Sequence, residues 1–155
     1  MNYKISGVSS FLFLFIALGI SSYVLFAFST MLGIVYVVAI PIALLVTFYH
    51  YCRKCPHLNN NTCRHVFVGP IVLKLFKQVS PSKYTVREII FALLPLTAII
   101  IFPQYWLIRN IKLFITHWVI MVFAVAIVRA GVCTKCKNLN CLLCPSNKDC
   151  KDCST

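Results

Sequence analysis

Acidic residues are almost missing from this chain. Glu88, Asp149 and Asp152 stand against 15 lysines and arginines, giving a net charge of +12 over 155 residues. So few carboxylates leave no acid pair for general acid–base chemistry and no serine–histidine–acid set, and no phosphate-binding loop is present. Charge of either sign is scarce, at 12% of residues, which is too little to clothe a soluble surface. Glycine is also sparse, with 5 in the chain, and none follows a C-x2-C pair. That argues against a simple zinc knuckle.

What is abundant is apolar surface. Hydrophobic residues make up 60% of the chain, against ~45–50% in ordinary globular domains. Four segments reach the ~20 residues that a membrane helix requires: Val8–Phe28, Met31–Tyr51, Arg87–Ile108 and Ile111–Ala130. Only Ser29-Thr30 separates the first two, and Arg109-Asn110 joins the last two, so the spacing predicts an all-α integral membrane protein of two tandem helical hairpins. Pro41, Pro95 and Pro103 fall inside spans, where neighbouring helices can satisfy the freed carbonyls. The expected organisation is a hairpin at 1–51, a cytoplasmic Cys/His loop at 52–86, a second hairpin at 87–131 and a cysteine-rich tail at 132–155. Lys4 and Ala27-Phe28-Ser29 resemble a secretory signal loosely. The apolar core is long for one and runs straight into another span, so it reads as retained.

With four spans, the N-terminus, central loop and tail share one face. That face carries 13 of the 15 basic residues, leaving Arg109 and Lys112 opposite. Basic loops stay in the cytoplasm, so both termini and all nine cysteines are expected there. The same count explains the positive charge through topology and anionic headgroups, so the expected partner is the lipid bilayer and not nucleic acid. In the loop, Gly69-Pro70 opens a stretch with Ile71, Val72, Leu75, Phe76 and Val79 on one face and Lys74, Lys77 and Gln78 on the other. This pattern predicts an interfacial amphipathic helix.

The chain says one phrase twice. Cys52-Arg53-Lys54-Cys55-Pro56-His57-Leu58-Asn59 and Cys133-Thr134-Lys135-Cys136-Lys137-Asn138-Leu139-Asn140 both read C-x-K-C-x-x-L-N, and each follows a hairpin. From Cys52 to Cys133 the offset is 81 residues, an internal repeat of hairpin and cluster together. Reduced cytosolic thiols in C-x2-C pairs act as ligands or redox groups more readily than as structural disulfides. The first cluster offers Cys52, Cys55 and Cys63 with His57 or His65; the second offers Cys133, Cys136, Cys141 and Cys144, followed by Cys150 and Cys153. Two thiolates from one turn plus two nearby ligands close a tetrahedral zinc shell, and four cysteines equally suit an iron–sulfur cluster. Cys55-Pro56 and Cys144-Pro145 echo the cysteine-proline ending of ferredoxin motifs, and Cys136-x4-Cys141-x2-Cys144 has plant-type spacing. Cys63-x-His65 has no C-x2-H partner, which discards a Rieske centre. Separate sites, one per phrase, are favoured over one shared site.

The expected function is a small redox or electron-transfer subunit carrying iron–sulfur clusters or zinc on its cytoplasmic face and serving a protein partner or redox complex. In plan only, it is similar to membrane-bound polyferredoxin proteins, whose C-x3-C-P boxes it lacks. A zinc-stapled scaffold or assembly subunit is the alternative, as is a soft-metal sensor or transport protein. Transport is weakened by the lack of any cysteine inside a span and of any acid there except Glu88 at an edge. A thiol–disulfide oxidoreductase suits the reducing compartment poorly. Inside the membrane, His117 with Arg109 and Tyr105 is a candidate quinone pocket, set against an ordinary interfacial aromatic belt. Homo-oligomerisation is left open.

Overall fold

The computed structural model describes residues 3–52, 74–76 and 84–132, and every regular element among them is helical. Four helices are long and apolar enough to cross a membrane. Helix α1 runs Tyr3–Phe28 and α2 runs Thr30–Tyr51, with Ser29 alone between them in extended conformation. The third span is α3, Val86–Ile101, followed by a short α4, Gln104–Leu107. The fourth is α5, Ile111–Ile127, which continues into a π-helical turn at Val128–Val132. The loop face is the end bearing Cys52 and Val132, and the turn face is the end bearing Ser29 and Asn110.

The helix ends have local causes. At Thr85 the hydroxyl accepts from the Glu88 N–H at 3.4 Å while the Glu88 carboxylate accepts from the Thr85 N–H at 2.9 Å, a reciprocal capping box. Glu88, the acid at the span edge, therefore serves a helix start. Asn110 caps α5 by accepting from Leu113 N–H at 3.4 Å. At the first turn, a Cβ on Gly33 would press on the Phe26 ring, so a larger residue there would require that ring to move.

Pro41 and Pro95 are carried inside continuous helices, but Pro103 stops α3 where the spacing implies a kinked span running on to Ile108. A proline at 103 cannot donate to Ile99 four residues back. The orphaned Ile99 carbonyl accepts instead from the Tyr36 hydroxyl of α2 at 2.8 Å. The next carbonyl, Ile100, accepts from the Gln104 side-chain amide at 2.7 Å. The break is thus closed by two side chains, one local and one from another span, as a non-aqueous environment requires.

The packing runs between the hairpins. The most extensive pairings are α2 with α3 and α1 with α5, followed by α1 with α2. Thr47 on α2 sits 2.8 Å from Ala43 O and 3.0 Å from Ala92 O of α3, sharing its hydroxyl proton between the helices. The interior is lined by small side chains, including Ser6, Ser10, Ala17, Ser21, Ala43, Ala92 and Ala124, together with Leu18, Leu25, Tyr36 and Ile99. Large apolar side chains such as Phe15, Tyr23, Met31, Val35, Phe91 and Phe123 face outward. Small residues inside let helix backbones approach closely where lipid gives no hydrophobic drive between helices. A bundle with its bulky apolar residues outside fits a bilayer, and the protein is an integral membrane protein in that sense.

Candidate functional site

Two groups of chemically capable side chains sit at opposite ends of the bundle. At the loop face, α2 ends on Tyr49, His50, Tyr51 and Cys52, and the Cys52 N–H donates to Phe48 O at 2.9 Å. Cys52 is half-buried and packs in one apolar cluster with Phe11 of α1, Phe48 of α2 and Phe76 of the central loop. Phe76 also meets Tyr49 edge-on at 5.3 Å. Of the loop segment expected to lie beside the first cysteine phrase, residues 74–76 are described; residues 53–73 and 77–83, which include the rest of the amphipathic stretch, lie outside the described residues. His50 stacks on Phe91 of α3 with ring centroids 5.5 Å apart and planes at 22°, and Tyr49 presents its edge at 5.1 Å.

Of the expected metal ligands, Cys52 is placed. Cys55, His57, Cys63, His65, Cys133, Cys136, Cys141, Cys144, Cys150 and Cys153 lie outside the described residues, among which no three metal-ligating side chains gather. The helix leading to the second phrase is placed up to Val132, and its π-helical end packs on α1. The two elements that precede the phrases, α2 and the π-helical turn, both pack on α1. Helices packed on a common neighbour at about 8–10 Å each stand about 10–20 Å apart.

Toward the turn face a polar network crosses the bundle. His117 is buried, with Nδ1 3.2 Å from Ala17 O and 3.3 Å from Ser21 Oγ, and Nε2 3.3 Å from Gln104 Nε2. Gln104 Nε2 also donates to Ile100 O, and its Oε1 accepts from Trp118 Nε1 at 3.1 Å. The indole can only donate and the Ile100 carbonyl can only accept, so the Gln104 amide has one orientation. Its second N–H then points at His117 Nε2, which must accept, and Nδ1 carries the proton toward Ala17 O. The network draws on α1, α3, α4 and α5.

Arg109 and Tyr105 come together elsewhere. The Arg109 guanidinium lies over the Tyr105 ring at 5.4 Å and the Phe28 ring at 5.9 Å, beside Trp106 and Phe102. Tyr105 is exposed, as suits an interfacial aromatic belt, whereas the partners of His117 are Ser21, Ala17 and Gln104. The sequence reading passed over Gln104, Tyr36 and Ser21. One signal was there: an amide directly after a proline in an otherwise apolar span.

Comparison with protein-family models, with curated proteins and with solved structures finds no match.

Proposed function

We propose that this protein holds soft metal at one membrane face, with each C-x-K-C-x-x-L-N phrase building its own centre, and that it works as a small redox subunit passing electrons to a partner at that face. The observation that carries the reading is the repeated phrase itself, starting at the end of α2 and again directly after the π-helical end of α5, on two helices that flank α1. The first centre draws on Cys52, Cys55 and Cys63 with a nitrogen ligand; the second draws on Cys133, Cys136, Cys141 and Cys144. Four thiolates, or three and an imidazole, suit iron–sulfur clusters and zinc alike, and the cysteine-proline pairs favour iron–sulfur. The 13 to 2 distribution of basic residues supports the cytoplasm as the face concerned.

A second reading has its own support. The His117 network is spent on holding helices together, so the described bundle resembles an anchor, and zinc centres on an anchor would make a docking scaffold. Anaerobic purification separates the two. A brown protein with broad visible absorption and labile sulfide is the expected result; a colourless protein with stoichiometric zinc supports the scaffold and overturns the redox reading.

A further inference from the structure

We propose that Arg109 holds the phosphate of an anionic phospholipid at the turn face, on a platform of aromatic rings. Arg87, Arg109 and Arg129 are the arginines among the described residues, and all are exposed. Of these, Arg109 is the one that lies over rings: its guanidinium is 5.4 Å from the Tyr105 centroid and 5.9 Å from that of Phe28. Both rings lean on one indole, that of Trp106, with centroids 5.3 Å away for Tyr105 and 5.8 Å for Phe28. Phe28 ends α1, whereas Tyr105 and Trp106 belong to α4, so two separate elements build the platform. Two cation–π contacts restrict a long side chain that would otherwise range freely at an interface.

What the rings do not supply is an oxygen. A guanidinium carries five N–H donors, and among the described residues that of Arg109 has neither a hydrogen bond nor an ion pair. Glu88 starts α3 at the loop face, and Asp149 and Asp152 come after the described residues, so no described carboxylate stands at this end. Lys112 adds a second exposed positive charge three residues on. At the depth of an aromatic belt the resident anion is lipid phosphate, and the planar fork of an arginine matches two phosphate oxygens. An anionic headgroup fits better than a zwitterionic one, whose own ammonium would meet Arg109 and Lys112 with no carboxylate to receive it. The acyl chains also have a surface to follow. Phe102, exposed and 5.3 Å from Trp106, and the exposed Ile101 carry the platform toward the bilayer interior.

Tryptophan fluorescence reads this face selectively, because Trp106 and Trp118 are the two tryptophans of the chain and both lie in its turn-face half. The full-length chain is placed in two sets of phosphatidylcholine vesicles. In one set a fixed minor fraction is brominated phosphatidylglycerol; in the other the same fraction is brominated phosphatidylcholine. Wild type should be quenched about two- to five-fold more effectively by the anionic lipid, the enrichment that an exposed charge pair can give. R109Q should abolish this preference, and R109K, which keeps the charge without the fork, should fall between the two. R87Q, at the loop face, should keep the preference in full, with circular dichroism showing that each variant retains its helices. Equal quenching of wild type by the two lipids overturns the proposal, and is the result if a carboxylate of a partner protein is the true occupant. Preference that survives in R109Q, or that is lost in R87Q, overturns it as well, since it then belongs to the net charge of the chain and not to Arg109.

Discussion

His117 and His50 stand at opposite ends of the same bundle and show how differently its two halves are built. Around His117 the donors and acceptors close on one another: indole to amide, amide to carbonyl and imidazole, imidazole to carbonyl. Around His50 the contacts are ring faces and edges that steer the imidazole without using its nitrogens. An unmet polar group in lipid is expensive, so the deep half has spent its polar side chains on structure. At the loop-face end, among the described residues, neither nitrogen of His50 has a hydrogen-bond partner. The difference teaches that an intramembrane histidine is not by itself a cofactor site; what its two nitrogens touch decides.

Substitutions in the deep half should change stability and leave metal content per folded chain unaltered. The largest effect is expected for Gln104→Leu, which removes the bonds to Ile100 O, His117 and Trp118; thermal unfolding in detergent should show a loss of about 1–2 kcal/mol, given that individual bonds in membrane bundles contribute little. Tyr36→Phe exposes the carbonyl orphaned by Pro103 and should cost about 0.5–1 kcal/mol. That cost should largely vanish in a Pro103→Ala background, where residue 103 regains an N–H for Ile99, and a double-mutant cycle reads the coupling directly. At the loop-face end, Thr85→Ala breaks the capping box at the start of α3 and should cost about 0.5–1 kcal/mol. The smallest change is expected for Trp106→Phe. The Trp106 Nε1 donor is buried and, among the described residues, has no hydrogen-bond partner, so removing it should leave stability within about 0.5 kcal/mol of wild type. Metal loss in any of the deep-half variants while the fold persists would erase the contrast between the two halves.

The four spans were legible because composition alone marks a lipid-facing helix, and their ends fall close to the expected positions: Phe28 and Tyr51 end the first two, and Ile111 begins the last. The pairing of α2 with α3 and α1 with α5 was not legible. Spans that are apolar on every side carry no stripe to say which face meets which neighbour. Pro103 was visible as a perturbation, but whether a proline kinks or breaks a span depends on who answers the freed carbonyl. Here that is Tyr36, 63 residues away. His117 was visible as a histidine in a span, while Gln104 and Ser21 acquire meaning only when three helices come together. The cysteine phrases stand out in the sequence by residue type and interval alone, and all of their cysteines but Cys52 lie outside the described residues.

The central claim is that each phrase holds its own metal while the bundle behind them is an anchor. Metal per chain in anaerobically purified wild type, in Cys52→Ser/Cys55→Ser and in Cys133→Ser/Cys136→Ser tests it most directly. The account predicts that each double variant keeps about half of the wild-type metal, one four-ligand centre remaining in each. Loss of all metal from either variant would mean one shared site, and a folded wild type without metal would contradict the account altogether.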